Sequence, residues 1–256
     1  MNRHKKIPAS ITLMIFVVTL GLGKVSAAEN PPPELKNLLM QIDTDANQEN
    51  IKGVMQYYSP SFTSGDGLNR KTLEKSLTAF WKRYPRLHYS TELESWKSQG
   101  NSFVAETVTK ITGLPSPSNN NMALSTTITS RQRVTRAKIV TQSILSELTQ
   151  LTSGRKPPQV TIQLPKQVKV GQKFSFDAIV KEPIGDDYLL GAALQEPIQP
   201  DKYLNPTTVD LEVLTSGGLF KEGQAPLTPG SQWISAVILR GDGVTMITQR
   251  LQVVRK

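Results

Sequence analysis

The chain has 256 residues and an ordinary globular composition, 38% hydrophobic, with no cysteine. That length suits two modest domains, and the lack of cysteine excludes disulfides, thiolate metal sites, a cysteine nucleophile and lipidation at an N-terminal cysteine. The formal charge is +9, but Arg3, Lys5, Lys6 and Lys24 lie in a segment without acids; removing those four leaves +5, and from Pro157 onward ten Lys/Arg balance ten Asp/Glu. The remaining excess is spread over the first half as singles and pairs, the pattern of a solvated surface.

Met1 to Ala28 reads as a secretory signal. Arg3, His4, Lys5 and Lys6 form a positive start, Ile7 to Gly23 is uncharged and mostly apolar, and Val25-Ser26-Ala27 before Ala28 offers the small residues a signal peptidase needs. The rival reading is an uncleaved anchor, which would be the chain's sole attachment to a membrane. Export to a periplasm, a thylakoid lumen or the extracellular space follows.

After a proline-rich spacer, Leu35, Leu38, Leu39 and Ile42 recur at helical spacing. The polar stretch 43–50 interrupts them, and Ile51, Val54, Met55 and Tyr58 resume the stripe. Ser59-Pro60 stops the second helix, with Phe62 packed beneath it, and Ser64-Gly65-Asp66-Gly67 is a turn. Asn69 caps a third helix whose Leu73, Leu77, Phe80, Trp81 and Tyr84 share one face, and Pro85 ends it. Four long strand-like runs follow over 87–96, 102–112, 124–134 and 138–151, joined by turns. They indicate a curved antiparallel sheet. Ser153 to Pro158 reads as a linker.

Beyond it helical periodicity disappears. Strand patterns occupy 160–164, 168–176, 188–194, 209–214, 233–240 and 244–254, with Gly241-Asp242-Gly243 as a hairpin signal. Such short strands with Pro/Gly loops indicate a β-sandwich.

The order helix, helix, helix, four strands over Leu35–Leu151, with YYSPSF at 57–62 and GDGLNRKTL at 65–73, resembles the nuclear transport factor 2-like or SnoaL-like fold. That resemblance implies a cone: helices packed in a curved antiparallel sheet with an open end. VKVGQKFSF at 168–176 looks like the early strands of an immunoglobulin-like sandwich. The arrangement also looks like secreted cyanobacterial proteins of unassigned function. The expected architecture is therefore an α+β cone over 34–153 and an all-β sandwich domain over 159–256.

The cone family includes isomerases and dehydratases that use a buried carboxylate for proton exchange. Glu106, in mid-strand, is the one weak catalytic candidate; it either points into the cone or pairs with Arg131 or Arg133 on the next strand. Asp66, between two glycines, reads as a solvated turn residue. Glu147 is ambiguous in the same way. His88 is the single histidine after residue 4, too few for a histidine-rich metal site. No P-loop, nucleophile elbow, metal ligand set or cofactor motif is present, and neither charge nor aromatic spacing indicates nucleic acid. Tyr58, Phe62, Trp81 and Tyr89 are the candidate lining of a ligand cavity, their alternative role being core. The leading expectation is a secreted, non-enzymatic binding or assembly protein for a small apolar ligand or protein partner, with the sandwich as a docking module. A cone-fold isomerase, dehydratase or hydrolase is the alternative. So is a structural envelope protein whose cone is closed by a homodimer partner or by its own sandwich.

Overall fold

A computed structural model describes residues 30–255 apart from 184, 186, 206 and 242, and not the side chain of 118. The signal assigned to Met1–Ala28 lies outside these residues. Pro31–Lys256 forms one compact unit.

Helix α1, Pro33–Asn47, begins with proline where a missing N–H costs nothing, and Glu34 sits in its positive first turn. Its apolar stripe buries Leu35, Leu38 and Leu39. Helix α2, Ile51–Gln56, is capped by Asn50, whose side chain accepts from the Gly53 N–H at 3.1 Å. A Cβ at Gly53 would meet the side chains of Asp45 and Asn50 and displace the hydrogen bond between them. Strand β1, Tyr58–Ser64, stands where a simple helix stop is expected. It runs parallel to the later strand β5 (Lys138–Ser153), with an irregularity between Tyr58 and Thr63 that accommodates Pro60 outside the ladder. Helix α3, Arg70–Arg83, starts with a reciprocal cap between Asn69 and Thr72 and stops at Tyr84, just before Pro85.

Strands β2 (Leu87–Gln99), β3 (Ser102–Gly113), β4 (Ala123–Thr135) and β5 (Lys138–Ser153) form an antiparallel meander. Bulges at Glu94 in β2 and at Val140 and Leu145 in β5 bend it. The helices pack into the concave side around Leu35, Met55, Phe62, Trp81 and Ile111.

The C-terminal half contributes β6 (Val160–Gln163), β7 (Gln167–Lys169), β8 (Lys173–Val180), β9 (Leu189–Pro197), β10 (Glu212–Leu214), β11 (Gly218–Gln224), β12 (Gly230–Arg240) and β13 (Gly243–Val254). Strands β11-β8-β6 make a separate three-stranded sheet. It closes over one face of β9, β12 and β13 around Phe174, Phe176, Leu219, Ile234, Ile238 and Leu251. Strand β11 is absent from the sequence expectation; its Gly218 lies so close to the Ala178 carbonyl that a side chain there would clash.

The second half does not merely follow the first. Strand β13 pairs with β5, so one sheet runs β10-β9-β12-β13-β5-β4-β3-β2 across the segment read as a linker. Its cross-strand partners form continuous rows. One is apolar, Leu87–Gly113–Leu124–Leu151–Met246–Val237–Ala192. The next carries hydroxyl pairs, Thr126–Thr149 at 3.1 Å and Ser235–Thr248 at 2.8 Å. Among the described residues no helix is long and apolar enough to cross a membrane.

Candidate functional site

The sheet is continuous only part of the way along β13. Its edge pairs with β5 from Val244 to Gln249, and then with β7 from Gln252 onward. Where β5 bends away, Gln252 Nε2 donates to the Ile144 carbonyl at 3.1 Å. Arg250 stands at this fork, its side chain 1% exposed. Its Nη1 and Nη2 donate to the two carboxylate oxygens of Asp66 at 2.8 and 2.9 Å. Nη2 also donates to Glu147 Oε2 at 3.2 Å.

Two aromatic groups complete the cluster. Tyr203 Oη donates to Asp66 Oδ2 at 2.8 Å, and Trp233 Nε1 donates to Glu147 Oε2 at 3.1 Å. The two rings meet edge to face, with centroids 4.9 Å apart. Both carboxylates come from the chain up to the end of β5, and all their donors here come from the segment beyond it. One guanidinium thus faces two carboxylates in a nearly dry setting, where unpaired charge is costly. Burial works against the charge on Arg250, but Asp66 and Glu147 more than offset it and hold the arginine firmly protonated. Burial and the nearby Asp66 charge push the Tyr203 phenol well above its ordinary range. The Arg250 Nε has no hydrogen-bond partner among the described residues.

Asp66 is therefore not the solvated turn aspartate its flanking glycines suggest: the turn is present, but its side chain is only 8% exposed and is clamped by Arg250. Glu106 lies between Ala105 and Thr107, both buried to the concave side, and so takes the opposite, convex face. There it accepts from Arg131 at 2.7 Å across the β3–β4 register, lining a shallow depression of about 300 Å³ with Trp96, Lys97 and Val104. His88 is exposed on that same face.

Tyr58, Phe62, Trp81 and Tyr89 all belong to the cone core. Tyr58 and Phe62 meet edge to face at 5.0 Å, and Trp81 Nε1 donates to Tyr89 Oη at 2.8 Å. Burial pushes the Tyr58 phenol up to about 12 and the Tyr89 phenol higher still, the Trp81 hydrogen bond working the other way. A phenol whose folded-state value is raised stabilises the fold fully below the unfolded value near 10 and loses that contribution as pH rises through the folded value. Stability should accordingly fall between pH 10 and about 12. In a spectrophotometric titration the tyrosinate signal of Tyr58, Tyr89 and Tyr203 should appear only with unfolding, whereas the chain in guanidinium chloride should ionise all six tyrosines near pH 10.

A second depression, a groove of about 510 Å³, runs between α1 and the outer edge of β2 and is lined by Lys36, Leu39, Met40, Asp43, Thr91 and Leu93 among others. Neither depression reaches the four rings. Among the described residues no group of three or more His, Asp or Glu side chains is placed to hold a metal ion.

A family model described as a domain of unknown function (DUF8623) matches residues 155–254, from the loop after β5 to the last residue of β13. No curated protein matches the chain. The solved structures it is similar to include a cystatin-fold protein from Novosphingobium aromaticivorans, at 12% identity over 44% of this chain and 98% of that one, with a TM-score of 0.35. An LEH-like epoxide hydrolase from Mycobacterium tuberculosis is similar at 9% identity over 43% of this chain and 80% of that one, with a TM-score of 0.32. A protein with a ketosteroid isomerase-like fold from Catenulispora acidiphila is similar at 9% identity over 42% of this chain and 82% of that one, with a TM-score of 0.31.

Proposed function

We propose that the chain is an exported, non-catalytic binding or assembly protein, with the cone as its recognition domain and the C-terminal β layers, immunoglobulin-like in kind, as its rigid brace. The observation that carries this is the engagement of the three candidate carboxylates, Asp66, Glu106 and Glu147. Proton transfer needs a group that can reach a substrate and change its charge cheaply. Asp66 and Glu147 share one buried arginine, and Glu106 is paired with Arg131 on the convex face. The packing of Tyr58, Phe62, Trp81 and Tyr89 against one another favours a protein partner at the surface over a small apolar ligand inside the cone.

Native mass spectrometry of the protein purified from its own compartment tests this reading. The expected species is a chain that has lost the Met1–Ala28 signal and retains a bound partner or ligand. An intact N-terminus together with no bound species would overturn the proposal.

A further inference from the structure

Helix α1 runs along the free edge of β2 and partly takes the place of a neighbouring strand. The Tyr89 N–H donates to Asn47 Oδ1 at 2.7 Å, and Asn47 Nδ2 donates to the Tyr89 carbonyl at 3.1 Å, the pair of bonds a strand partner would make. One step on, Asp43 accepts from the Thr91 N–H at 2.6 Å and the Thr91 hydroxyl at 2.7 Å. The spacing is geometric: four helical residues advance about 6 Å, close to the roughly 6.6 Å of two strand residues. The next match sets Leu39 and Met40 beside Leu93, and neither offers a polar atom. The strand surrogate ends there, and the groove opens at that point.

Natural sheets cover or charge such edges, and an uncovered one is a template for another extended chain. The walls also select. Met40 is 55% exposed and supplies the apolar surface with Leu39. Lys36 lies one turn further along α1, is exposed, and has no carboxylate partner among the described residues. Asp43 is spent on Thr91, so the groove's uncommitted charge is positive.

We propose that this groove takes an extended peptide segment, added edge-on to β2 from Leu93, with an apolar residue on Leu39 and Met40 and an acidic residue toward Lys36. This rests on the binding role argued above and names its partner class and its site.

The test uses a random peptide library displayed on phage, selected against the whole protein. Enriched peptides should alternate, with an apolar and an acidic position. Binding should protect the Leu93 amide from hydrogen exchange and weaken at least about tenfold in Met40→Asp and in Lys36→Glu, each an exposed position whose replacement the fold tolerates. Leu114→Asp, at another exposed apolar residue, should bind as the wild type does. N-methylation of the peptide main chain should abolish binding. No enriched peptide, equal affinity for Met40→Asp, or binding that survives N-methylation would overturn the proposal. A retained partner in native mass spectrometry that leaves Leu93 unprotected would overturn this site and keep the broader binding role.

Discussion

Arg250→Met should destabilise the protein by about 3–5 kcal/mol, because it leaves two buried carboxylates without their counter-charge. For a chain of this size that corresponds to a fall in Tm on the order of 10 °C. Asp66 and Glu147 side chains are only 8% and 15% exposed, so water can do little to replace the guanidinium. The electrostatic origin has its own signature. Adding Asp66→Asn and Glu147→Gln to Arg250→Met removes the orphaned charges and should recover a large part of the loss. If the damage were only lost packing, the triple variant would be no better than the single one. Arg250→Lys should fall between wild type and Arg250→Met: the charge stays, but the two-pronged contact with Asp66 goes. Urea unfolding monitored by tryptophan fluorescence is a suitable readout, since Trp233 touches the cluster and Trp81 lies in the cone core. Coincident loss of both signals would show that the continuous sheet makes the two halves unfold together.

The cone was readable because its signals are local. Leu35, Leu38 and Leu39, or Leu87 and Tyr89, declare a face within one or two turns or strand steps, and Asn69 and Pro85 mark the ends of α3. Strand β1 was not readable, since Pro60 argues against a strand and only the long-range pairing with β5 overrides it. Strand β11 is likewise made by its partner β8, its own residues after Phe220 being mostly exposed. The Arg250 cluster spans 184 residues between Asp66 and Arg250 and has no local pattern at all. One signal did exist: Arg250 is the only charge within β13, a strand otherwise built to be buried. A charge so placed needs a partner. The same reasoning separates Glu106 from Asp66. Glu106 has a basic residue directly across the ladder and is content at the surface, whereas the partner of Asp66 arrives only when β13 closes the sheet.

Phe62→Ala distinguishes a filled cone from a ligand cavity, and the expected result is a loss of about 3–5 kcal/mol. Phe62 is 1% exposed and meets Tyr58 edge to face, among Leu35, Met55 and Trp81. A ring enclosed by such neighbours loses its transfer energy and leaves a void that close-packed surroundings refill only in part. A ring lining an open, hydrated cavity has contacts on one side only, and its truncation would cost about half as much or less. The void itself supplies the second readout. An apolar cavity of that origin stays dry and takes up a small aromatic. Benzene should therefore raise the Tm of Phe62→Ala and leave the wild type unchanged, since ligand that binds only the folded state stabilises it by mass action. Benzene stabilising the wild type to the same extent would mean that the cone already holds a cavity, and would return Tyr58, Phe62, Trp81 and Tyr89 to the role of a ligand-binding wall. A small loss in Phe62→Ala without any benzene effect would point to a wet opening at the same place. The filled cone predicts both a large loss and a rescue confined to the variant, the result that the proposed recognition on the outside of the cone requires.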